Sequence, residues 1–97
     1  MKYEWDENKN VANMEKHGIG FECAHELFEG NRLIFPDDRK DYGEPRFIIA
    51  GYIENRMMVA VYTQRSLRTI RIIFLRKANS REKARFEEAI RNRLGAD

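Results

Sequence analysis

Eight basic side chains, Arg65, Arg68, Arg71, Arg76, Lys77, Arg81, Lys83 and Arg85, fall between residues 65 and 85, where the only acid is Glu82. A guanidinium presents a planar fork of N–H donors that matches the oxygens of a phosphate, so clustered arginines suit both the binding of a phosphodiester and the stabilisation of charge developing on it. Pairing within the window cannot neutralise it; carboxylates from the N-terminal half are the competing partners. Tyr62 stands just before the cluster and adds a phenol. The second point of interest is Lys16-His17-Gly18. Histidine gives and takes protons near neutral pH, although a His just before a Gly also reads as the last residue of a helix. Cation, imidazole and phenol chemistry on an anionic partner is therefore what the residue types offer, and nucleic acid is the commonest such partner.

Other chemistries find little here. His17 and His25 are eight apart, Cys23 is alone, and no spacing resembles a zinc or di-iron site, so no metal and no cofactor are expected. Asp37, Asp38 and Asp41 read as a solvated loop. Ser66 and Ser80 lack a nucleophile-elbow context, and the six glycines are too scattered for a phosphate-cradling loop.

The charge is unevenly placed. The 97 residues carry a formal net charge of +2, but residues 1–44 have a net −5 and residues 45–97 a net +7. The length suits one domain spanning 1–97. No apolar run approaches the roughly 20 residues of a membrane-spanning helix. The start, Met1-Lys2-Tyr3-Glu4-Trp5-Asp6, has no secretory pattern, and the expected compartment is the cytoplasm.

The elements that must position these groups follow from periodicity. Tyr3 and Trp5 alternate with charged residues as in a short strand. Asp6 is an N-cap for a helix over Glu7–His17, with Val11 and Met14 on one face and Gly18 beyond its end. Phe21, Ala24 and Phe28 imply a second short helix ended by Gly30. Arg32–Phe35 is a strand stopped by Pro36, and the polar stretch from Pro36 to Pro45 is the expected mobile loop. Strands follow over Arg46–Ile53, Met57–Arg65 and Arg68–Arg76, the first two joined by a tight turn at Asn55 and the middle one central. Strict alternation puts Arg71, Ile73 and Leu75 on one face of the last strand and Ile70, Ile72, Phe74 and Arg76 on the other. Asn79 and Glu82 form a capping box for a final helix with Phe86, Ile90 and Leu94 along one face and Arg85 elsewhere. The expected fold is α+β, in the order β-α-α-β-β-β-β-α. It is a small antiparallel meander sheet with two N-terminal helices and one C-terminal helix packed on it.

The ordered motifs are more specific than any one of them. Trp5-Asp6, Asn8-Lys9, Asn13-x-x-Lys16-His17-Gly18-x-x-Phe21, Tyr42-Gly43-Glu44-x-Arg46, Val61-Tyr62-Thr63-x-Arg65 and Arg71-Ile72-Ile73-x-x-Arg76-Lys77-Ala78, followed by Glu82, form one series. The series resembles the BrnT family of type II toxin–antitoxin toxins from about residue 3 to residue 87. The resemblance implies a RelE-like fold and an endoribonuclease that inhibits translation. It also implies a ribbon-helix-helix antitoxin partner, BrnA, with which the toxin forms a hetero-oligomer that represses its own promoter.

For the site, the resemblance implies metal-independent cleavage through the RNA 2′-hydroxyl. Lys16, His17, Tyr62, Arg65 and Arg76 are the catalytic candidates, and Arg46, Arg68, Arg71 and Lys77 the RNA-binding ones. The sequence departs from the family pattern at Phe74-Leu75, Ser66, Glu82-Lys83 and Phe86. The competing function is a non-catalytic module that binds nucleic acid or antitoxin without cutting.

Overall fold

The computed structural model describes the backbone of residues 1–94 and the side chains through Arg93. In chain order it has β1 (Lys2–Trp5), α1 (Glu7–His17), a 3-10 helix (Phe21–Phe28), β2 (Arg32–Pro36), β3 (Phe47–Ile53), β4 (Arg56–Ser66), β5 (Thr69–Lys77) and α2 (Ser80–Leu94). The α+β class and the element order agree with the sequence reading.

The sheet order is β1-β5-β4-β3-β2, with β4 in the middle. Strands β2 to β5 form the expected antiparallel meander. Strand β1 instead runs parallel to β5, from Lys2 opposite Thr69 to Trp5 opposite Ile72, so the sheet is mixed. Alternation in a four-residue segment fixes which face each side chain takes, not the direction of the strand it joins. The β3–β4 turn consists of Glu54 and Asn55, both at positive φ (49° and 70°), as a two-residue hairpin twist demands.

Helix α1 starts where Asp6 accepts hydrogen bonds from the amides of Asn8 (2.9 Å) and Lys9 (3.2 Å). It ends at Gly18, whose φ of 72° lets its amide reach the Met14 carbonyl at 2.8 Å. Its inward residue is not an apolar one. Val11 and Met14 are half exposed, and Asn13 is buried. The Asn13 amide donates to the Ile19 carbonyl (3.2 Å) and its oxygen accepts from the Leu75 amide (3.4 Å). It thereby ties α1 to the part of β5 that extends past the short β1.

The second helix is 3-10 rather than α. Phe21, Ala24 and Leu27 are its buried residues, spaced by three, and a three-residue turn stacks such positions on one side. Phe28 is only partly buried. Gly51 on β3 makes room for this helix: a Cβ there would lie 3.2 Å from the Asn31 carbonyl and 3.3 Å from Leu27 Cδ2.

These two helices cover one face of the sheet, where Ile49, Ile53, Met58, Ile72 and Leu75 are fully buried with Phe21 and Leu27. The opposite face carries Ala50, Met57 and Val59 and is covered by α2 through Phe86. Phe86 is 1% exposed, whereas Ile90 is only partly buried, so a single aromatic ring anchors α2. The expectation for the Leu94 side chain lies outside the described residues. The coverage of the second face is therefore incomplete, and that is what creates the site.

Replacing Asn13 with Ala removes both of its hydrogen bonds and strands a strand amide and a carbonyl. The expected loss is about 1–3 kcal/mol of unfolding free energy, read by denaturant titration. A loss below about 0.5 kcal/mol, the scale of an ordinary surface substitution, would show that the link does not hold α1 in place.

Candidate active site

A groove of about 380 Å³ opens on the face that α2 covers. Its floor is apolar: Leu33 from β2, Ile48 and Ala50 from β3, and Val59 and Val61 from β4. Phe35, Phe74 and Phe86 form aromatic walls, and Arg39, Arg76, Arg85 and Glu82 supply the charge.

A bulge makes this lining possible. Val61 on β4 is opposite Phe74, and the next residue, Tyr62, is opposite Ile72, so Ile73 has no partner. The extra residue shifts the alternation. Ile70, Ile72 and Leu75 join the helix-side core, and Phe74 and Arg76 turn to the groove. Strict alternation placed Leu75 with Arg71 and put Ile70 and Ile72 with Phe74 and Arg76; the bulge overturns that assignment.

Arg76 is the most firmly held cation. Its two terminal nitrogens each donate to Glu82 at 2.7 Å, and one also donates to the Lys77 carbonyl at 3.1 Å. Glu82 does a second job as the capping-box residue of α2, exchanging 2.9 Å hydrogen bonds with Asn79. The Arg76 fork holds the Glu82 carboxyl below the usual range, and Glu82 raises the Arg76 pKa in return. Both groups are charged at neutral pH, and the guanidinium is oriented rather than free to rotate.

His17 adjoins the groove through Phe74. The two rings meet edge to face with centroids 5.8 Å apart, and His17 Nε2 is buried without a hydrogen-bond partner among the described residues. Lys16 is exposed beside it in the last turn of α1.

The other sequence candidates are dispersed. Tyr62 points to the helix-side core, its ring against Phe28 (5.0 Å) and Phe47 (5.5 Å), and burial raises its pKa. It is on the opposite face from Arg76. Arg65 lies six residues along β4 from Val59, the partner of Arg76, which at about 3.3 Å per residue is about 20 Å. The two arginines expected to share a phosphate therefore do not converge. Arg71 pairs with Glu4 on the neighbouring strand at 2.8 Å. Arg46 stacks on Tyr42, 4.2 Å from the ring centroid, and lies 3.3 Å from Glu44. Arg68 is exposed in the β4–β5 turn, and Lys77 at the far end of β5.

Arg39 had no role in the sequence reading, and Arg85 entered it only as a member of the basic window. Arg85 follows Glu82 by one helical turn, and that spacing was a usable signal. Arg39 was hidden in the polar loop, which is held rather than free. The Asp37 amide donates to the Arg46 carbonyl at 2.8 Å, and Arg39 forks onto Asp37 at 2.7 and 2.8 Å. Asp37 is buried, and the Arg39 guanidinium holds its carboxyl at about 2. Among the described residues no three His, Cys, Asp or Glu side chains gather as metal ligands.

Because the Asp37 pKa is lower folded than unfolded, its contribution to stability is complete above the unfolded value of 3.8 and is lost as pH falls through about 2. The Asp37→Asn variant should be less stable than the parent at pH 6, and the difference should shrink steadily below pH 4 in denaturation curves. A difference that stays constant down to pH 2 would contradict the pairing.

Comparison with known proteins finds similarity over most of the chain. The family described as "Ribonuclease toxin, BrnT, of type II toxin-antitoxin system" matches residues 5–82. The crystal structure of the Brucella abortus ribonuclease toxin BrnT superimposes with a TM-score of 0.68 at 25% sequence identity, covering 82% of this chain and 99% of that one. No curated protein sequence matches.

Proposed function

The chain belongs to the BrnT family of ribonuclease toxins, and from that premise we propose that it cuts RNA without a metal, using the groove beside Arg76 as its active site. The observation that carries the reading is the groove itself: an apolar floor for bases, rimmed by three arginines, with one of them clamped in a fixed orientation by Glu82. Charge develops on the phosphate as the 2′-oxygen attacks phosphorus and the bond to the 5′-oxygen breaks. A guanidinium whose direction is set before the reaction stabilises that charge without a reorganisation cost.

On this reading Arg76 is the principal phosphate-stabilising group, with Arg39 and Arg85 around it. His17 and Lys16 take the proton-transfer and phosphate-contact roles. The contact of the His17 ring with Phe74, a wall of the groove, supports its share. Tyr62 serves as a core side chain behind the sheet. RNA cleavage inhibits translation in the cytoplasm. A BrnA-like ribbon-helix-helix antitoxin neutralises the toxin and carries it to their shared promoter.

The test is RNA cleavage by the purified protein in EDTA. Cleavage should persist and leave 2′,3′-cyclic phosphate and 5′-hydroxyl ends. The Arg76→Ala variant should lose about 10²–10³-fold in rate, the scale of one missing electrostatic stabiliser. The His17→Ala variant should lose about 10²-fold or more, as for a general acid or base. Binding without cleavage would favour the non-catalytic module, and 5′-phosphate products would rule out attack by the 2′-hydroxyl.

A further inference from the structure

The dispersal of the basic cluster leaves a second group of cations with nothing to do in the groove. At the far end of the β4–β5 ladder Arg65 keeps 48% of its side chain exposed, and its nearest carboxylate oxygen, on Glu44, is 3.9 Å away. Arg68 is exposed in the turn itself. Lys2, also exposed, is brought beside the turn because its amide donates to the Arg68 carbonyl at 2.6 Å. Leu67 between them is 94% exposed, so the tip projects from the sheet. Glu44 and Glu4 are the nearby acids, and they are engaged by Arg46 and Arg71.

We infer that this hairpin end is a second RNA-backbone site, at which Arg65 and Arg68, with Lys2, hold phosphates of the strand that leaves the groove. The inference rests on the ribonuclease reading of the groove. Its geometry is a track along β4 and β5, with Arg71 between the two ends. The separation of about 20 Å from Arg76 corresponds to roughly six nucleotides at the 3.4 Å spacing of a stacked strand. A substrate too short to reach the hairpin would touch the groove alone. Its contacts are to phosphate, so they confer affinity and direction without base preference. Arg65 thereby becomes a substrate-positioning residue rather than a catalytic one.

The experiment uses 2′-O-methyl oligoribonucleotides, which cannot be cut by their own 2′-oxygen, so binding is measured apart from cleavage. Affinity of the parent protein should rise between about four and about eight nucleotides, then level off. In the Arg65→Ala/Arg68→Ala double variant that rise should disappear. The dependence of log K on log salt for a twelve-nucleotide RNA should also become shallower by about 1.4, at about 0.7 per phosphate contact on a single strand. The Arg65→Lys/Arg68→Lys variant should restore both. An unchanged length dependence in the Ala variant would overturn the second site. So would loss of affinity for an acidic peptide alone, which would make the hairpin a protein-docking surface. A parent protein that binds none of the oligonucleotides would overturn the ribonuclease reading as well, whereas binding independent of length would overturn only the track.

Discussion

The bidentate pair between Arg76 and Glu82 joins three parts of the molecule at one point. Arg76 is the penultimate residue of β5, and Glu82 caps α2. The pair therefore fixes the start of the helix, the charged wall of the groove and the orientation of its best-placed cation together. A half-buried pair of this kind, still in contact with solvent, contributes modestly to stability. Its value here is directional: a planar fork held by two parallel hydrogen bonds has one orientation, which leaves Nε–H and the second Nη2 hydrogen as its unengaged donors. Phe86 completes the arrangement, because a helix anchored by one ring covers part of the sheet and leaves the rest open.

The asymmetry of the two sheet faces follows from local chemistry. On one side α1 and the 3-10 helix close over the strands with Phe21 and Leu27, and Asn13 holds β5 with one hydrogen bond and the Ile19 loop with another. On the other side the floor of Ile48, Val59 and Val61 has no helix spanning its whole length. The bulge at Ile73 then decides which basic side chains share that face with the apolar floor. Had the alternation run unbroken, Ile72 and Arg76 would share a face, and either the core would lose an isoleucine or the arginine would be buried without a partner.

Much of this was legible in the chain. The caps at Asp6, Gly18 and Asn79, the breaks at Pro36 and Pro45, the turn at Asn55 and the central strand all follow from residue types with strong local preferences. What was not legible depends on contacts between distant segments. The direction of β1 is set by the strand it meets. The bulge needs the β4 partner before it can be seen. The helical period misled at α1, where a polar residue is the buried one because a strand edge and a loop carbonyl both needed partners. For the site, Arg76, Lys16 and His17 were marked by the family motifs; Arg76 lines the groove, His17 reaches it only through Phe74, and Lys16 is exposed beside His17. Arg65 and Tyr62 were marked equally, and strand geometry sends one to the far end of the ladder and the other to the opposite face. Arg39 was missed because its order comes from a buried Asp37, and nothing in a polar loop announces which aspartate will be covered.

On the proposed function, RNA enters the groove on the α2 face of the sheet. Backbone amide chemical-shift mapping tests it most directly, with an isotope-labelled protein titrated with a non-cleavable 2′-O-methyl RNA. The largest shifts should fall on Phe35, Arg39, Val59, Phe74, Arg76 and Arg85, while Ala24, Leu27 and Ile53 under the opposite helices stay in place. Shifts concentrated on α1 and the 3-10 helix, with Val59, Phe74 and Arg76 unmoved, would contradict it.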